Sequence, residues 1–244
     1  MSEMTVVIPV HDPNGLEEKR LLRAIKSIAI QSNPPNMVSI ASNHEILYID
    51  KITQFAAKRF RFEHFINVTS GAADNLNFLL EQTATKFSKI LFQDDFLKSR
   101  SALLAIENTL ERSQKKWLIH GFDHFFEESN LTDREQIPKF TRNLRRGINK
   151  IGAPSVIAFR NGSIPKFNSE MVYMFDCEWY LQMQHMFGNP TIITDPLVTI
   201  GIHSNQATVW AREFLKKEVN LTRKLHPISA VKRRCKNCRS WVNE

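Results

Sequence analysis

Two carboxylates stand side by side at Asp94-Asp95, where the apolar run KILF at 89–92 runs into Gln93-Asp94-Asp95. Like charges this close repel, so the pair is favoured where a cation or ordered donors neutralise it. Hard oxygen ligands suit Mg2+ or Mn2+, ions that commonly bridge to substrate phosphates. A second acidic pair, Asp176 and Glu178 in FDCEWYLQM, opens a helical pattern, and either carboxylate could take a proton from an attacking hydroxyl. His203 ends the strand-like run VTIGIH, where a neutral imidazole could ligate a metal. Gly152-Ala153-Pro154-Ser155 is a small-residue turn that could bring backbone N–H groups and a hydroxyl to an oxyanion. Cys235 and Cys238 form one CxxC, half of a zinc site, with His226 and Cys177 as the nearest helpers. Each motif also has a plainer explanation. Acidic residues are favoured at helix starts whatever the chemistry, small residues make tight turns, and most of the eight histidines must be bland.

The elements that must position these residues are legible from periodicity. Thr5 to Val10 (TVVIPV) is β-branched and apolar, predicting a strand buried on both faces and stopped by Pro9 and HDPNG. Leu21, Leu22, Ile25, Ile28 and Ala29 recur at helical spacing, and SNPP ends that helix. Met37 to Ala41 predicts a second strand, so the chain begins with a βαβ unit and a parallel pair. Weak helix at 51–60, a strand at 65–68, a helix at 72–86 and a strand at 89–92 follow. Ser99 is a candidate N-cap for a helix through Glu111. In the second half, strands are expected at 117–120, 156–159, 191–194 and 198–202, and a helix at 175–187. The polar, basic stretch 127–150 is expected to be a loop or flap. Trp210, Phe214, Leu221 and Leu225 predict one face of a long amphipathic helix, followed by the basic tail VKRRCKNCRSW.

The chain has 244 residues, is 42% hydrophobic and 24% charged, and so has ordinary globular composition rather than that of a disordered or collagen-like chain. Its net charge of +8 predicts an anionic partner: a nucleotide, a nucleic acid, an acidic glycan or a membrane surface. Three cysteines do not suggest a disulfide framework. MSEMTVVIPV carries no signal-peptide pattern and no apolar run approaches a membrane span, so a cytoplasmic protein is expected, with peripheral membrane contact through the basic tail as an option.

Taken in order, the motifs resemble the family 2 glycosyltransferases of the GT-A fold. The resemblance is carried by TVVIPVHD, by SIAIQ closing the first helix, by MVSIASN, and by the SGAADN turn. It continues through ILFQDD, GAPSVIAFR, FDCEWYLQM and HSNQAT, and covers roughly residues 4–210. It implies an α/β fold: a Rossmann-like, mostly parallel sheet flanked by helices, with an acceptor-side half and a C-terminal amphipathic helix. The implied organisation is one catalytic domain over 1–210, with a nucleotide-sugar-binding half at 1–114 and an acceptor-side half at 115–210. A C-terminal helix and basic tail occupy 211–244.

The implied activity is inverting transfer of a sugar from a nucleoside-diphosphate donor, a UDP- or GDP-sugar, to a hydroxyl of a glycan or lipid-linked acceptor. A divalent metal, Mn2+ or Mg2+, would meet the charge of the leaving diphosphate. Asp95 would hold the metal, with Asp94 touching metal or ribose and His203 a further metal or diphosphate contact. Asp176 would be the base, with Glu178 its rival. Pro9, Val10, Asp12, Ser42, Asn43, Gly71, Asn75, Gln93 and Asp94 would contact the donor, and Gly152, Ala153, Pro154 and Ser155 would shape the acceptor side. The chain departs from the family pattern at Phe92, where an acidic residue is usual, and at Ser42-Asn43, where the second strand usually ends in a carboxylate. The alternatives are a catalytically degenerate relative, a basic nucleic-acid-binding protein, and a nucleotidyltransferase-like enzyme. HDPNG holds one glycine, against the Gly-rich phosphate loop of the last class.

Overall fold

The computed structural model describes residues 2–12, 14–68 and 71–227. The basic tail, Cys235, Cys238 and Ser70 lie outside them. In chain order the elements are β1 (Met4–Val10), α1 (Glu18–Ala29), β2 (Met37–Ser42), α2 (Ile49–Ala56), β3 (Arg61–Ile66), α3 (Ala72–Glu81), β4 (Phe87–Ile90) and β5 (Phe96–Leu97). Then come α4 (Ala102–Arg112), β6 (Trp117–Phe126), β7 (Leu131–Thr132), β8 (Ile157–Arg160), α5 (Phe175–Phe187), β9 (Thr191–Ile202), α6 (Ala207–Trp210) and α7 (Leu215–Leu225).

One sheet runs through both halves of the chain in the order β3-β2-β1-β4-β8-β6-β9-β5, with β7 paired to β6. β3, β2, β1 and β4 are mutually parallel, as the opening βαβ pattern requires. β8 enters antiparallel to both β4 and β6, and β6 pairs parallel to β9. Every residue of β1, β2 and β4 is buried, which is why these segments read as continuous apolar runs rather than alternating ones. α1 buries Leu21, Ala24, Ile25 and Ile28. The second half is centred on Trp179, which stacks on Phe167 at 4.7 Å and meets Trp117 edge-on at 6.5 Å.

Several boundaries differ from the sequence expectation. β1 runs through Pro9 instead of stopping there: the ladder to β4 has ended at Val7–Ile90, so the missing N–H leaves no gap. The third strand begins at Arg61 and the fourth is Phe87–Ile90, shifted towards the N-terminus from 65–68 and 89–92. Helix α3 stops at Glu81, short of residue 86. Ser101, not Ser99, precedes α4, and no side chain caps it. The two strands expected at 191–202 are one, β9, whose register against β6 shifts at Gly121. A Cβ at 121 would lie 2.4 Å from the Thr194 carbonyl oxygen, so only glycine admits that bulge. The stretch 127–150 is not a featureless loop: it contains β7 and a 3-10 turn at Arg142–Arg146. The long C-terminal helix is broken into α6, a 3-10 turn and α7. Trp210 and Leu225 are about half exposed, while Ala211, Glu218 and Thr222 are buried. A polar pair fills the position expected for the apolar face, because Glu218 serves backbone N–H groups described below.

Candidate active site

The parallel strands β1, β2 and β4 release the chain at one edge of the molecule, at their carboxyl ends, where ligands of open α/β sheets bind. Three asparagines lace that edge together. Asn75, buried on α3, donates to Asn43 Oδ1 at 3.2 Å and accepts from Asn67 Nδ2 at 3.0 Å. The Gln93 amide donates to the His11 carbonyl at 3.0 Å and accepts the His11 N–H at 2.7 Å, so it continues the sheet beyond β1 and β4. Pro9, Val10, Asn75, Gln93, Asp94 and His203 line a cavity of about 150 Å3 at this edge. Gly71, at φ +113°, immediately precedes α3 beside it, a conformation that favours glycine.

A larger cleft of about 990 Å3 shares Asp94, Phe92 and Gln206 with this cavity and runs past Gly152, Ala153 and Pro154 to Asp176. Asp94, Asp95, Asp176 and His203, far apart in sequence, thus surround two joined depressions. Asp94 Oδ2 lies 3.2 Å from His203 Nε2. Arg23 of α1 donates to the Asp94 carbonyl at 2.7 Å and to Glu127 at 2.9 Å, which fixes the turn from the α1 side.

Asp95 behaves differently from its neighbour. It is 1% exposed and accepts the Gly201 N–H at 2.9 Å. Burial raises its pKa well above the usual carboxylate range, and the Asp94 charge pushes the same way. Its Oδ2 has no partner among the described residues. Ser155 accepts the Phe92 N–H at 2.8 Å, so its hydroxyl holds the 92–95 turn and is wholly buried, rather than facing an acceptor. Beneath it lies Lys89, fully buried, donating to the carbonyls of Ser155 and Ile157; burial lowers its pKa to about 7.

Asp176 sits in the first turn of α5. Its carboxylate accepts the Cys177 N–H at 2.6 Å and the Asn149 amide at 2.8 Å. Burial raises its pKa to about 6 against these hydrogen bonds, leaving a carboxylate that is ionised at neutral pH yet basic enough to accept a proton. Glu178, its rival, is directed elsewhere: it accepts from Gln182 at 2.7 Å and pairs with His226 at 2.8 Å. Asp12 accepts the Leu16 and Glu17 N–H groups and the Tyr48 hydroxyl, at 2.8, 3.1 and 2.6 Å, so it organises its own loop. Ser42 donates to the His44 carbonyl at 2.7 Å and meets His64 Nε2 at 2.9 Å.

Among the described residues no group of three or more His, Cys, Asp or Glu side chains is arranged to hold a metal ion. Asp94 and His203 are a two-donor set, which fits an ion whose shell is completed by ligand phosphates and water, not a self-contained cage. Sequence reasoning missed Asn149, which lay in the presumed flap, and Lys89, whose signal was a lysine inside an apolar strand. It also missed Gly201, where a Cβ would stand 2.3 Å from the Asp94 carbonyl oxygen.

This sheet order and strand-edge site define the GT-A-like fold that the motif resemblance implies. No protein-family model matches the sequence, and no curated protein does. Solved structures match with probability 1.00. S. aureus TarS 1–349 in complex with UDP aligns with a TM-score of 0.66 at 13% identity, over 91% of this chain and 65% of that one. The mannosyltransferase PcManGT of Pyrobaculum calidifontis, in complex with GDP-Man and Mn2+, aligns at 0.61 and 14%, over 92% and 64%. M. tuberculosis glucosyl-3-phosphoglycerate synthase aligns at 0.61 and 13%, over 93% and 82%. The chain therefore spans just under two thirds of the first two structures. No helix among the described residues is long and apolar enough to cross a membrane.

Proposed function

We propose that the chain is a nucleotide-sugar-dependent glycosyltransferase that moves a sugar, with inversion, from a nucleoside-diphosphate donor to an acceptor hydroxyl. The observation that carries this reading is the convergence of Asp94, His203 and Asp176 on joined cavities at the strand edge. Support comes from fold neighbours solved with UDP and with GDP-Man and Mn2+. Pro9, Val10, Asn75 and Gln93 form the wall for the nucleoside. Asp94 and His203 would hold a divalent ion together with the donor diphosphate, and that ion would stabilise negative charge on the leaving group. Asp94 rather than Asp95 takes this role, because Asp95 is buried and bonded to the Gly201 N–H. Asp176 accepts the proton of the acceptor hydroxyl as that oxygen attacks the anomeric carbon from the face opposite the departing diphosphate. Asn149 holds the carboxylate in place for this transfer.

The test is a thermal-shift screen of UDP- and GDP-sugars with and without Mn2+. A donor that binds the native state raises the melting temperature. The expected result is a metal-dependent rise with at least one nucleotide sugar, absent in Asp94→Ala. No rise with any of them removes the proposal.

A further inference from the structure

The mouth of the larger cleft carries Arg134, Lys139 and Lys150, all exposed. Among the described residues neither lysine side chain has an ion-pair or hydrogen-bond partner. Glu135, which lines the same cleft, is paired with Lys98 at 2.9 Å, and Arg134 lies in the field of Asp133. The two lysines are held beside each other, because the Lys139 N–H donates to the Lys150 carbonyl at 2.8 Å. The segment leading to them is fixed to β6 by the paired Phe122–Gln136 backbone bonds at 3.1 and 2.6 Å. Lys150 directly follows Asn149, which bonds Asp176, and Asn149 also donates to the Gly152 carbonyl at 2.9 Å. Two lysines without an ion-pair partner among the described residues thus line the same cleft as the carboxylate proposed as the base, their backbones joined to each other and, through Asn149, to its side chain.

From this geometry we infer that the acceptor is anionic: a molecule bearing a phosphate or carboxylate close to the hydroxyl that receives the sugar. The inference rests on the glycosyl-transfer reading for the hydroxyl, but the anion site itself does not require it. An acceptor whose hydroxyl reaches Asp176 places a neighbouring anionic group beside Lys150 and Lys139. The cations offset the repulsion that Asp94 and Asp176 would otherwise impose on such a ligand. They also raise its encounter rate in a salt-dependent way.

The test is equilibrium binding of glucose 6-phosphate, glucuronate and glucose to the full chain, with and without UDP. Comparison is with Lys139→Glu/Lys150→Glu and the charge-keeping Lys139→Arg/Lys150→Arg. Glucose 6-phosphate or glucuronate should bind more tightly than glucose. The Glu pair should weaken that binding on the order of tenfold, the Arg pair should retain it, and added salt should erode it. This pattern supports the anion site even if no nucleotide sugar binds. Equal binding of charged and neutral sugars, or no change in the Glu pair while its circular dichroism stays native, overturns it even if nucleotide sugars do bind. Binding to anionic vesicles alone, with none to the soluble sugars, overturns it too.

Discussion

At the residue scale, each acidic pair of the sequence resolves into one member available in the cleft and one tied into the scaffold. Asp94 meets His203, while Asp95 is folded under it. Asp176 reaches the cleft, while Glu178 is tied to Gln182 and His226. Asp176→Asn keeps the shape and removes the basicity. Transfer should fall by about 100-fold or more, with nucleotide binding retained. Because the Asp176 pKa is raised to about 6 and a base works only when deprotonated, kcat/KM should climb as pH rises through about 6 and level off above it. A profile flat down to pH 5 would remove Asp176 from the role. The same shift has a stability consequence. A carboxyl whose folded pKa exceeds its unfolded value stabilises the fold fully below the unfolded value, and that contribution is lost as pH rises through about 6.

At the scale of elements, two contacts deliver these side chains. β9 passes so close to the Asp94 turn that Gly201 is obligatory: its N–H serves Asp95 and its missing side chain leaves room for the Asp94 carbonyl. Gly201→Ala should cost about 1–3 kcal/mol in chemical denaturation and weaken nucleotide binding together with it. α7 does the corresponding work for Asp176. Glu218 is buried and accepts the N–H groups of Val172, Tyr173 and Met174, at 2.8, 3.0 and 2.7 Å, immediately before α5. Removing it strands three backbone donors, so Glu218→Ala should destabilise by roughly 3 kcal/mol and lower transfer more than nucleotide binding. Glu218→Gln, which keeps an acceptor, should be milder. Equal stability of the Ala and Gln variants would argue against the capping role.

At the scale of the whole molecule, the strands of the N-terminal and C-terminal halves form one sheet, because β8 pairs β4 on one side and β6 on the other. Unfolding should therefore be a single cooperative transition, seen alike by tryptophan signals from Trp117 and Trp179 and by backbone circular dichroism. Two separated transitions would contradict this coupling. The first half was readable in the sequence because parallel strands buried on both faces leave continuous apolar runs, as in MTVVIPV and MVSIAS. The second half was not, because its elements depend on distant partners. The bulge at Gly121 joins two apparent strands into β9. The buried face of the C-terminal segment is polar, since Glu218 answers N–H groups more than forty residues away.

The amino-acid order by itself determined the opening βαβ layout, the strand-end position of Asp94-Asp95, the acidic start of α5 and the histidine closing β9. All of these follow from local periodicity and helix-end chemistry. Only the tertiary structure decided which carboxylate of each pair is tied into the scaffold, that Ser155, Asp12 and Ser42 hold the scaffold, and that Lys139 and Lys150 line the same cleft as Asp176 without an ion-pair partner among the described residues. Those outcomes depend on which groups meet across 20 to more than 100 residues of chain, and hydrogen-bond satisfaction in a packed interior is settled only when the partners arrive.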